Sequence, residues 1–80
     1  MKYTLQPIEA IAARMRVIHP HHKTSIISHN GRDAIKLCGR GAKHAATYWN
    51  RELYLDGRVD HRTTIESAKH GNGWLVYVSN

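Results

Sequence analysis

Gly39-Arg40-Gly41-Ala42-Lys43-His44-Ala45-Ala46-Thr47-Tyr48-Trp49-Asn50-Arg51-Glu52-Leu53 is the stretch on which the fold turns. Ala42, Ala45, Ala46, Trp49 and Leu53 recur at three- and four-residue intervals, which gathers apolar side chains on one face of a helix. The pattern predicts a helix ending near Asp56-Gly57. Ile35, Cys38 and Ala42 also fit the stripe. Two glycines in three residues would cost about 1 kcal/mol each inside a helix, so the helix is expected to begin after Gly41.

On the N-terminal side of this helix, Asn30-Gly31 separates the β-branched run from Lys23 to Ile27 from Ala34, Ile35 and Leu37, the signature of a hairpin turn between two strands. Before the hairpin, Ile8, Ile11, Ala12, Met15 and Ile18 have helical spacing, with Pro7 suited to the first helical position and Pro20 closing the segment. Met1, Tyr3 and Leu5 alternate with Lys2 and Thr4, a period of two that predicts a short strand stopped by Pro7. On the C-terminal side, Val59 to Ala68 and Trp74 to Val78 flank His70-Gly71-Asn72-Gly73 and read as a second hairpin, whose apolar last strand is expected to be central.

This order predicts an α+β domain of two layers: an antiparallel sheet of four to five strands with both helices on one face and the other face free. With Met1 to Leu5 as a strand the order is β-α-β-β-α-β-β, which contains the ferredoxin-like order; without it the order is α-β-β-α-β-β. The expected core includes Ile11, Met15, Ile18, Ile26, Ala45, Trp49, Leu53, Leu75 and Tyr77.

Eighty residues with 41% hydrophobic content suit one small domain spanning 1–80. One cysteine forms no internal bridge, so folding rests on packing, as expected in a reducing cytoplasm. No apolar run approaches the roughly 20 residues needed to span a bilayer, and Met1 to Pro7 does not read as a signal peptide, so no membrane partner is expected.

Twelve Lys and Arg against six Asp and Glu give a formal charge of +6, whose sign favours a polyanionic partner. Its distribution says more. Arg14, Arg16, Lys23, Arg32, Lys36, Arg40, Lys43 and Arg51 occupy a span in which Asp33 is the sole acid between Glu9 and Glu52, whereas Glu52, Asp56, Asp60 and Glu66 belong to the C-terminal part.

Gly39-Arg40-Gly41 at the start of a helix offers backbone N–H groups and the positive end of the helix dipole, with Arg40 and Lys43 as added charge for a phosphate. The Lys-Ser/Thr ending of a P-loop and the third glycine of a dinucleotide fingerprint are missing, so no nucleotide cofactor is expected. Gly39 to Ala46 is faintly similar to the opening of the C-terminal helix of double-stranded RNA-binding domains. It departs from that family in lacking paired lysines and in being followed by further chain. Further along, Lys43, Thr47, Asn50, Arg51 and Tyr54 lie beside the apolar stripe, so Arg51 and Tyr54 extend the basic surface, and Arg32 and Lys36 join it from the preceding strand.

Catalytic patterns are incomplete. His19-Pro20-His21-His22, with His29 nearby, has imidazoles but not the paired spacing of a closed zinc site, and is expected to be an exposed loop without metal. Val59-Asp60-His61 resembles the Asp-His pair of HNH endonucleases, but no Asn and His follow at helical spacing. Cys38 with His44 lacks a third member for nucleophilic catalysis, and Cys38 reads as a small core residue.

Three functions fit. The first is a non-enzymatic nucleic-acid-binding module that contacts the phosphate backbone through Arg32, Lys36, Arg40, Lys43, Arg51 and Tyr54. The second is a small inhibitor, of the kind phages encode against host defence such as anti-CRISPR proteins, whose basic span meets an acidic protein surface. The third is a metal-independent ribonuclease using a pair of histidines as acid and base on the 2′-hydroxyl.

Overall fold

A computed structural model describes residues 6–59 and 68–79. The elements are helix α1 (Ile8–Ile18), strands β1 (Lys23–His29) and β2 (Arg32–Cys38), helix α2 (Ala42–Leu55), and strands β3 (Lys69–His70) and β4 (Gly73–Tyr77). The four strands form one antiparallel sheet in the order β1-β2-β4-β3, so the last strand is interior, as its apolar composition requires. The expected strand at Met1 to Leu5 and most of the one at Val59 to Ala68 lie outside the described residues. In a ferredoxin-like sheet the position beside β2 would belong to an N-terminal strand. Here β4 holds that position through Ile35↔Val76 and Leu37↔Trp74, and the described elements follow the order α-β-β-α-β-β.

Both turns are short. Asn30 and Gly31 have φ of 53° and 74°, the two positive values of the turn that matches the twist of a two-residue hairpin. The His29↔Arg32 pair that closes it sets the register of the whole β1–β2 ladder, up to Lys23↔Cys38. At the second hairpin, His70↔Gly73 is the closing pair, and Gly73 is required by close approach: a Cβ there would stand 2.6 Å from Cys38 Sγ and 2.8 Å from Lys36 Cε.

Helix α1 begins one residue later than the proline pattern suggests, with Pro7 in extended conformation as its N-cap. Its buried residues Ile8, Ile11, Ala12 and Met15 join Ala42, Ala45, Ala46, Trp49 and Leu53 of α2 over Ile35, Leu37, Val76 and Val78 of the sheet region. Both helices thus share one cluster on one side of the sheet. Ile18 and Ile26, expected in the core, are 45% and 40% exposed. Ile18 closes α1, where the stripe has drifted off the packed face, and Ile26 lies on a strand paired only with β2 among the described residues.

The two-layer arrangement holds, but the sheet's other side is not bare. Ala34, Leu75, Tyr77 and Val59 form a second buried cluster there, with Ile27 packed against it. Ile27↔Ala34 and Ala34↔Tyr77 place those three side chains on one face by register. The sheet also coils enough for His29 and His70, diagonal in register, to meet edge to face with ring centroids 4.8 Å apart.

One polar residue belongs to the fold itself. β3 pairs only with Gly73 and Trp74, which leaves the outer edge of β4 beyond Trp74 without a strand among the described residues. Buried Asn50 completes it from α2: its Nδ2 donates to Leu75 O at 2.8 Å, and its Oδ1 accepts from Tyr77 N–H at 3.2 Å. The side-chain amide thereby replaces the two backbone partners that a longer β3 would supply. Asn50 was expected on the polar flank with Arg51; its bonds put it inside. Buried Arg58 acts similarly at the chain's ends, donating to the carbonyls of Gln6 and Ser79.

Candidate nucleic-acid interface

The sequence-predicted residues do not converge on one surface. Lys43, Arg51 and Tyr54 lie on the outer flank of α2, at the i, i+8 and i+11 positions of one exposed stripe that also includes Thr47. A rise of 1.5 Å per residue sets Lys43 and Arg51 about 12 Å apart along the helix. Arg40 is exposed in the loop before this helix. Arg32 and Lys36 belong to the opposite side of the sheet. Arg32 stacks its guanidinium 4.7 Å from the Tyr77 ring, and half-buried Lys36 runs along the β3–β4 hairpin, with Nζ 3.6 Å from where a Cβ of Gly71 would be. They are corrected out of the α2 surface by strand alternation: residues 32, 34 and 36 share the face of Ala34, away from the helices.

Two residues missed from sequence complete that surface. Trp74 is half-buried on the helix side, and two ammonium groups lie over its ring, Lys69 at 4.6 Å and Lys43 at 5.7 Å from the centroid. Lys69 and Trp74 are direct cross-strand partners, so the hairpin register holds the cation and the ring together, while α2 brings Lys43 from above. The signal was available: a two-residue turn at Gly71-Asn72 pairs 69 with 74. What hid it was that Lys43 approaches only through packing of α2 on the sheet.

Electrostatically, Arg40, Lys43, Arg51 and Lys69 give this surface one sign among the described residues assigned to it. The first turn of α2 has no acidic residue, and its N-cap Gly41 is left-handed, φ 84°, without a side-chain cap, so the positive end of the helix dipole adds to Arg40, Lys43 and Lys69. None of these cations is ion-paired by any contact the described residues make, in contrast to Arg58, whose guanidinium is spent on carbonyls.

The histidine loop differs from the exposed segment expected. His21 is exposed, but His19 and His22 are half-buried and stacked, with centroids 5.2 Å apart and planes 12° from parallel. Among the described residues no three of His, Cys, Asp and Glu come together as a metal site. Cys38 is half-buried and its Sγ–H donates to Asn72 Oδ1 at 3.7 Å, on the sheet, whereas His44 is exposed on α2. His61 lies outside the described residues. No helix among the described residues is long and apolar enough to cross a membrane.

The fold and this surface define a small α+β module with a basic helix flank. Comparison with protein-family models, with curated proteins and with solved structures finds no match.

Proposed function

We propose that this protein is a non-enzymatic nucleic-acid-binding module whose contact surface is the outer flank of α2 together with the β3–β4 hairpin. The observation that supports this reading is the Lys43–Trp74–Lys69 cluster, where two cations are held over an indole beside an acid-free helix start. Fixed ammonium groups near a helix N-terminus suit phosphate oxygens, and the partly exposed indole and Tyr54 suit the faces of unpaired bases. Lys43, Lys69 and Arg51 neutralise phosphates, and Arg40 adds a mobile charge at the loop. Phosphate contacts of this kind position a protein without reading base sequence.

The test is fluorescence anisotropy with labelled single-stranded and duplex oligonucleotides, starting at about 50 mM salt where counterion release is most favourable. Binding with a log-log salt slope near −2 to −3 is expected from three phosphate contacts. Absence of binding to both probes at that salt would remove this reading and leave an acidic protein surface as the partner of the basic span.

A further inference from the structure

His19 and His22 each have one ring nitrogen committed, and the two commitments are of opposite kinds. His19 Nε2 accepts the indole N–H of fully buried Trp49 at 3.1 Å, so its proton belongs on Nδ1. His22 Nε2 is 2.7 Å from the backbone oxygen of Arg40, an acceptor only, so His22 must donate from Nε2. Its Nδ1 is buried without a hydrogen-bond partner. The loop from Gly39 to Gly41 packs on this ring: a Cβ at Gly39 would stand 3.5 Å from His22 Cδ2, and one at Gly41 3.6 Å from Nε2.

We propose that the stacked His19–His22 pair is a neutral-state clamp: with both rings uncharged it fastens the end of α1 to Trp49 of α2 and to the Gly39–Gly41 loop, and proton uptake releases them. A proton added to His19 goes to Nε2, where its N–H would confront the Trp49 N–H with no acceptor between them. A proton added to His22 goes to Nδ1, a buried position with no acceptor either. Two stacked imidazolium rings repel as well. The charged and titratable groups on the surrounding elements give no relief. They are Arg16 on α1, His21 and Lys23 in and after the loop, Arg40 on the clamped loop, and Lys43 and His44 on α2. The carboxylates of these helices are Glu9 on α1 and Glu52 on α2, and burial and His22 hold His19 below its ordinary range with no carboxylate offsetting them. The released segment bears Arg40 and leads into Lys43, so the clamp makes the start of α2 sensitive to acid. It stands on geometry that is independent of any nucleic acid.

Nitrogen-15 NMR of the free protein tests it between about pH 8 and pH 5, across the ordinary histidine range. At pH 8 the expected result is two fixed and opposite tautomers, Nδ1–H for His19 and Nε2–H for His22, with a hydrogen-bonded Trp49 indole signal. Acidification should remove the Trp49 shift as His19 takes up its proton, and speed amide exchange at Ala42. His19→Gln, whose Oε1 accepts the indole N–H but does not titrate, should keep the Trp49 shift in acid. Exposed His21 and His44 serve as internal controls. Rapidly averaging tautomers for both rings at pH 8, or a Trp49 signal that stays constant while His19 titrates, would overturn the proposal. Those two readings come from wild type and stand even if the Gln variant does not fold.

Discussion

Lys36 and Lys43 are seven residues apart, yet the sheet separates them, and the comparison between its two sides shows how this chain divides its work. The helix side holds the larger core, built around Trp49, and the cluster of Lys43 and Lys69 over Trp74, with Arg51 farther along. The opposite side holds a smaller cluster around Leu75, and its cations lie along the sheet, Arg32 on Tyr77 and Lys36 along the hairpin. Arg32 over Tyr77 and Lys69 over Trp74 make the same kind of contact, both from exposed positions on strands. What differs is that α2 adds Lys43 and its acid-free first turn beside Trp74.

The largest expected effect concerns the cores. Trp49→Ala should cost about 3 to 5 kcal/mol, enough to unfold a domain of this size, whereas Leu75→Ala, in the smaller cluster, should cost about 2 kcal/mol. Ile18→Ala and Ile26→Ala, at half-exposed positions, should each stay below about 1 kcal/mol. Urea titrations of the four variants would measure this ranking, and Ile26→Ala matching Trp49→Ala would break the assignment of the core.

Next comes the residue that joins α2 to the sheet edge. Asn50→Ala strands Leu75 O and Tyr77 N–H in a buried place, for a loss of about 2 to 4 kcal/mol, with accelerated amide exchange at Tyr77. Asn50→Asp should be little better, because the carboxylate lacks the donor for Leu75 O. An Asp variant as stable as wild type would show that the pairing role is misread.

Acidity should weaken the helix side selectively. His19 is held below its ordinary value by burial first and by His22 second, so the unfolded chain binds a proton more readily than the folded one. Stability from this group is complete above the unfolded value of about 6.5 and is lost as pH falls through the lower folded value. Melting temperature should accordingly decline from pH 7.5 toward pH 5, and His19→Gln should flatten that part of the curve. A wild-type melting temperature that rises on acidification over this interval would contradict the sign.

The smallest effects separate the two basic surfaces. Lys43→Ala or Lys69→Ala should weaken oligonucleotide binding several-fold and make the salt slope shallower by about one contact, roughly 0.7 to 0.9. Arg32→Ala, on the other side, should leave the slope unchanged while loosening the packing over Tyr77. Equal losses from Lys43→Ala and Arg32→Ala in anisotropy titrations would erase the distinction between the sides.

Local patterns carried much of this molecule. Apolar spacing located both helices to within a residue or two, and Asn30-Gly31 located the first turn, because side-chain period and turn backbone angles are properties of adjacent residues. The charge imbalance was equally legible. What tertiary structure alone decided were relations between residues far apart in the chain. β4, not an N-terminal strand, pairs with β2; Asn50 is an inside residue because it bonds the edge of β4 where no strand pairs with it among the described residues; His19 and His22 are held by Trp49 and Arg40; and Lys43 meets Lys69 at Trp74. Each of these depends on packing that brings together residues eighteen or more positions apart. Strand alternation then assigned Arg32 and Lys36 to the side away from Lys43, a sorting that follows from register and that no count of charges contains.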